Sequence, residues 1–152
     1  MKLLANRAPP LHRVYCAGSC GWFGLGLRRA LLRGFAGHGR SHIGHAHIHA
    51  LQSGQGHALH FQRLNGAPPI SSHIAPAKAH TAALGQRESK VYEDVINGGR
   101  YSFLSAPAIE GLLEGGVPIM KDGQCIGAVG VSGVKSTEDA QIARAGIAAI
   151  GL

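Results

Sequence analysis

Aromatic residues make up only 5% of this 152-residue chain. So few leave no stacking platform for single-stranded nucleic acid, and sequence-specific reading of bases is not expected. Cysteine is almost absent. Cys16, Cys20 and Cys125 cannot form the two or more bridges of a small disulfide-stapled secreted protein. Cys16 and Cys20 lack the second pair that would complete a zinc site. Cys125 lies in an apolar stretch, where a thiol behaves as a small hydrophobe. No apolar run approaches the ~18 residues of a membrane span. The opening MKLLANRAPPLHR has two prolines where a signal peptide would carry its apolar run, so a cytoplasmic protein is expected. G-x-S-x-G, the P-loop and a strand-borne G-x-G-x-x-G are missing, which removes the common hydrolase and nucleotide-binding signatures.

Acid is missing over more than half the chain. Residues 1–87 hold ten Lys or Arg and no Asp or Glu, whereas residues 88–152 hold five basic and eight acidic residues. The net charge of +7 is therefore a balance of +10 and −3, and all ten His lie at or before position 80. Two readings follow. The first part is a basic tail able to touch nucleic acid or anionic lipid. Alternatively it is a disordered or frame-shifted segment, since a GC-rich gene read out of frame yields acid-free Arg, Gly, His, Ala and Leu.

Residues 1–20 show no periodicity and read as disordered. Residues 21–36, GWFGLGLRRALLRGFA, read as a marginal amphipathic helix weakened by glycine. In HGRSHIGHAHIH, His45, His47 and His49 would share one side of a strand, an arrangement able to capture Zn, Ni or Cu adventitiously. From about residue 56 the texture changes. Residues 56–63 read as a strand and Asn65-Gly66 as a turn. Residues 70–84 read as a helix for which Ser71 or Ser72 can serve as cap, with Pro76 in the first turn if the cap is Ser72 or His73. Residues 88–97 predict a helix ending at Gly98-Gly99. Tyr101, Phe103 and Leu104 suggest a brief strand or extended link, and residues 105–114 a loop with one helical turn. Val117–Met120 and Gln124–Val131 form a hairpin about Asp122-Gly123. The second arm is nearly all apolar, hence central and buried on both faces, and Gly127 and Gly130 imply close approach of a backbone or a ligand. Ser136 is expected to cap the last helix with Asp139 at its third position. Ile142, Ala145, Ala149 and Ile150 form the apolar face of that helix. The order of elements predicts an antiparallel sheet with helices packed against it.

In GHALHFQRLNGAPP, AKAHTAA, GGVPIMKDGQCIGAVGVSG and STEDAQIARAGIAAI the chain resembles the GlcG/HbpS family of haem-binding proteins, also called the DUF336 or haem-degrading-domain family. The carboxyl-terminal domain of PduO-type corrinoid adenosyltransferases belongs to the same group. The resemblance runs from about Gly56 to the end, giving two expected regions: an atypical basic segment over 1–55 and a GlcG/HbpS-like domain over 56–152. It implies an α+β, profilin-like fold: three α/β/α layers around an antiparallel sheet of about five strands, assembling into homo-oligomers. Upstream the chain departs from the family. An opening helix and an apolar first strand are replaced by SHIGHAHIHALQSGQG, which would leave a sheet edge unpaired.

The resemblance also implies a ligand: haem, or a related tetrapyrrole such as a cobalamin-type corrinoid. A tetrapyrrole needs an apolar slot, a cation for its propionates and an axial ligand for iron. Lys78, His80 and Thr81 match the family's K-A-x-T-A motif. Lys78 is the candidate counter-ion, His80 the candidate iron ligand and Thr81 a candidate hydroxyl contact. Gly115, Gly116 and Pro118 are candidates for a ligand-lining turn. Each has a plain structural alternative: surface charge, solvated histidine, small packing residue, turn geometry. Three functions stand open: a tetrapyrrole-binding protein, an enzyme of haem degradation or an accessory of glycolate and small-acid metabolism, and a protein whose basic first half binds nucleic acid without sequence preference.

Overall fold

A computed structural model of the chain describes residues 47–151. The disorder expected for residues 1–20, the amphipathic helix at 21–36 and His45 lie outside the described residues. Four strands form one antiparallel sheet in the order β2-β1-β4-β3: β1 is Ile48–Ser53, β2 Ala58–Arg63, β3 Gly116–Lys121 and β4 Gln124–Ser132. Three α-helices accompany them: α1 Ser71–Gly85, α2 Lys90–Asn97 and α3 Ser136–Ala148.

The hairpin forms as its turn dictates. Asp122 and Gly123 have φ of 50° and 77°, both left-handed, as the tight turn that matches strand twist requires. Val117 pairs with Val129 and Ile119 with Gly127, and β4 then pairs along its other edge with β1. This makes β4 a central strand, as its apolar run predicts. Among the described residues β3 is an edge strand, which is where Pro118 is tolerated.

Alternation sorts the side chains into two cores. Leu51, Val117, Ile119, Val129 and Val131 face α3, meeting Ala143 and the flanking Ile142, Ile147 and Ile150. Ile48, Ala50 and Ala128 face α1, meeting Ala75, Ala79, Ala82 and Ala83. The result is helix, sheet, helix: an α+β fold in three layers. The approach of α1 is set by Gly130, where a Cβ would overlap the backbone of Ala75 and Ala79. At Gly127 the tight neighbour is the Gln52 carbonyl of the adjacent strand. Both glycines thus admit backbone.

Five details differ from expectation. The sheet has four strands among the described residues, rather than about five. It takes in residues 48–53, which the sequence reading set outside the domain: β1 lies between β2 and β4, and Ile48, Ala50 and Leu51 are buried. Helix α1 starts at Ser71 without a side-chain cap, because Pro68 and Pro69 carbonyls already accept the amides of Ser71 and Ser72; Pro76 therefore falls in the second turn. Tyr101–Ser105 is a 3₁₀ turn whose Phe103 ring packs 5.7 Å from Tyr92, and residues 106–115 contain no helical turn. In α3 the side chain reaching back to the cap is Glu138, bonded to the Lys135 amide at 3.4 Å, so Asp139 is released for another role.

His49 in β1 lies on the face of Leu51, with His47 just before the strand on one side and His60 of β2 on the other. The rings lie 5.9 and 6.0 Å apart, and His49 Nε2 donates to Gln62 Oε1 at 3.1 Å. Burial lowers the His49 pKa from 6.5 to about 4, helped by His47 and His60 and opposed by the Gln62 bond. Above pH 6.5 this costs nothing, since the imidazole is neutral folded or unfolded. Between pH 6.5 and 4 the unfolded chain takes up a proton that the folded one refuses, so stability falls as pH falls. The loss reaches roughly 3 kcal/mol by pH 4. Urea midpoints across this range are expected to fall steeply for the native chain and to flatten in His49→Val. Equal slopes would contradict this account.

Candidate functional site

The six residues that the sequence singles out fall into three places. Lys78, Thr81, Gly115 and Gly116 gather where α1, the start of β3 and α3 meet. Lys78 is 2% exposed; its ammonium lies 2.9 Å from Asp139 Oδ2 and donates to the Val131 carbonyl at 3.1 Å. Asp139 also accepts the Val134 amide at 3.2 Å. Burial pushes the Asp139 carboxyl above its ordinary value, while Lys78 and the amide pull it back. Gly115 (φ 125°) passes against this pair, and a Cβ there would press on Lys78 Nζ, the Asp139 Cβ and the Val131 carbonyl. At Gly116 a Cβ would overlap the Lys78 carbonyl. Thr81 is fully buried, and its hydroxyl accepts the Gly111 amide at 3.1 Å. Pro118 sits within β3, opposite Ala128. At this junction the glycines let chain pass close to charge, and Lys78 meets a carboxylate of the protein itself.

Ser89, which the sequence reading passed over, completes the junction. It is buried, accepts the Gly116 amide at 2.8 Å and donates to the Leu113 carbonyl at 2.5 Å. It falls inside the helix expected over residues 88–97, whereas α2 begins at Lys90, so no signal in the sequence marked it. Cys125 is half-buried, its thiol directed at the Gly127 carbonyl 3.3 Å away, and burial raises its pKa. That places it among inert thiols.

His80 lies elsewhere. It is half-buried on α1 and lines an open hollow of about 260 Å³ together with Gln52, His73, Pro76, Ala77 and Glu110. Its Nδ1 lies 3.0 Å from Gln52 Oε1 and 3.0 Å from the Gly56 carbonyl oxygen. Both partners are acceptors, so in the neutral ring the proton sits on Nδ1 and Nε2 is the nitrogen with the lone pair. An imidazole held this way is what a metal-ligating histidine requires: one nitrogen tied to a carbonyl, the other free to donate. Pro76 and Ala77 supply an apolar wall, and the exposed His73 and Glu110 a polar rim. Gln52 comes from β1 and was not legible as a site residue, because that strand was itself not expected. Among the described residues no group of three or more His, Cys, Asp or Glu is arranged to hold a metal ion, and no helix is long and apolar enough to cross a membrane.

Comparison with known proteins agrees with this fold. A family model described as "Haem degrading protein HbpS-like" matches residues 38–148. Protein GlcG of Escherichia coli K12 is 51% identical over 83 residues, which are 55% of this chain and 61% of that protein. The match thus spans about three-fifths of the length of this curated relative. Klebsiella pneumoniae ORFY superposes with a TM-score of 0.75 at 21% identity, covering 98% of each chain. A double mutant of Streptomyces reticuli HbpS gives 0.70 at 24% identity, over 100% of this chain and 99% of that one. These two are likenesses of fold. A PduOC structure solved as a haem complex gives 0.65 at 27% identity, over 85% of this chain and 93% of that one.

The Lys78–Asp139 pair has a measurable signature. Lys78→Met alone leaves a buried carboxylate without its cation and is expected to cost about 3–5 kcal/mol. Adding Asp139→Leu removes the orphaned charge, and most of the loss should return. Chemical denaturation of the native chain, the single and the double variant checks this. A double variant no more stable than the single would refute it.

Proposed function

The chain belongs to the HbpS-like family, matched across residues 38–148, and from that premise we propose that it binds haem through His80. The observation that carries the reading is the histidine at the open hollow with its Nδ1 proton directed to two carbonyl oxygens, which leaves Nε2 as a neutral donor. Haem, when bound, supplies a redox-active iron that accepts such a nitrogen as an axial ligand. The residues present fit the group in that respect and in the apolar wall of Pro76 and Ala77. The hollow is open, which suits a flat ligand larger than the hollow itself.

Two expected contacts are not part of this reading. The Lys78 ammonium is buried against Asp139, so the propionates have no partner there; the exposed His73 on the rim of the hollow is the candidate contact instead. Thr81 spends its hydroxyl on the Gly111 amide. Support for haem also comes from the PduOC relative solved with it. Assembly of several copies is part of the same proposal, as the family resemblance implies.

Haemin titrated at micromolar concentration into the full chain is expected to give a shifted, saturable Soret band, and His80→Ala to weaken binding at least tenfold with unchanged far-ultraviolet circular dichroism. Size-exclusion chromatography of the same samples reports the assembly. A native chain that leaves the haemin spectrum unaltered, or a His80→Ala variant that binds equally well, would reject the proposal.

A further inference from the structure

We infer that Gln52 is a positioning residue that sets both the tautomer and the donor strength of His80. The argument starts from the Gln52 amide, whose two ends are distinguishable by their partners. Its Nε2 donates to the Pro76 carbonyl at 2.9 Å, and a carbonyl oxygen can only accept. The amide oxygen is therefore the end that meets His80 Nδ1, at 3.0 Å. Reversing the amide would set its NH₂ against the Nδ1 proton and its oxygen against the Pro76 oxygen, losing both bonds. Gln52 is 5% exposed, so water does not compensate. The Gly56 carbonyl, 3.0 Å from the same nitrogen, adds a second acceptor. Gly56 has φ 81° in the turn after β1, and a Cβ there would press on the imidazole at 2.8 Å, so the turn is shaped around the ring.

Two consequences follow. Without any ligand, the neutral His80 ring holds its proton on Nδ1 and keeps the lone pair on Nε2. The partners are also both neutral: an amide and a peptide carbonyl. A carboxylate in the Gln52 position would draw the Nδ1 proton toward itself and make the ring a more electron-rich ligand, which favours ferric over ferrous iron. Gln52 thus sets a neutral-imidazole donor. Only this second consequence rests on the haem reading.

The ring nitrogens of His80 in the ligand-free full chain, observed by ¹⁵N-resolved NMR, are expected to show Nδ1–H with Nε2 unprotonated. In Gln52→Met, which keeps side-chain length but removes the amide, a distinct Nε2–H population is expected, at a third or more of the signal. In haemin-loaded Gln52→Glu, the preference for ferric over ferrous iron should rise at least tenfold, read as a fall in reduction potential. An Nε2–H tautomer in the native chain, or a Gln52→Met spectrum like the native one, overturns the positioning role. An unchanged potential in Gln52→Glu overturns the tuning role. Tautomers that shift as expected in a chain that leaves haemin unaltered would sink the haem proposal and uphold the positioning.

Discussion

One buried ion pair joins the two faces of this molecule. Lys78 stands on α1 and Asp139 on α3, helices on opposite sides of the sheet, and they meet at 2.9 Å where the chain enters β3. A charge removed from water this completely is tolerated only with a partner and further hydrogen bonds, and both are present in the Val131 carbonyl and the Val134 amide. The pair demands space at the strand entrance, which explains Gly115-Gly116: side chains there would occupy the volume of the ammonium and of the α1 backbone. An apolar pair could hold the helices as firmly. What charge adds is a penalty for every packing of α1 that does not bring Lys78 to Asp139. The helix is lined with small alanines that would otherwise let it slide along the sheet.

The same closeness generates the hollow. Because Gly130 lets α1 rest on β4 through its backbone, the next turns of the helix are carried over β1, and Pro76, Ala77 and His80 come to lie against Gln52. A helix held further off by larger side chains would leave the Gln52 amide out of reach of both the Pro76 carbonyl and the His80 ring. The hydrogen-bonded chain from Pro76 through Gln52 to His80 is thus a product of a small residue on the neighbouring strand.

The hairpin was readable because its turn chemistry is local. Asp122-Gly123 requires left-handed φ at two positions, and both adopt it. The helices were readable from spacing, although their starts shifted, since Pro68, Pro69 and the Lys135 backbone supply hydrogen bonds that a search for Ser or Thr caps does not find. β1 was not readable as a core strand. Its apolar members Ile48, Ala50 and Leu51 divide between two faces, and His47 and His49 hold the remaining inward positions. Alternation along the histidines was legible. That the positions were interior was not, because imidazole at a buried position runs against every composition rule. The motif around Lys78, His80 and Thr81 was legible as one unit and proves to be two: positions 78 and 81 turn toward the junction, position 80 toward the hollow. Residues three apart on a helix share a face, and the one before the second of them does not.

That division binds the candidate site to the least expected strand. Both acceptors of the His80 proton lie in β1 or in the turn that follows it, and neither α1 nor the hairpin offers another. If β1 left the sheet, the hydrogen bonds of Lys78, Asp139 and Ser89 would keep their partners, for these come from α1, α3, β4, the loop after β4, and the start of β3 with the segment leading into it. His80 would keep none. Stability of the two helices and readiness of the imidazole are therefore separable properties of this fold. The first is encoded by glycine and a buried charge pair after residue 70, the second by β1 and the turn after it, a stretch that looks in composition like part of a basic tail.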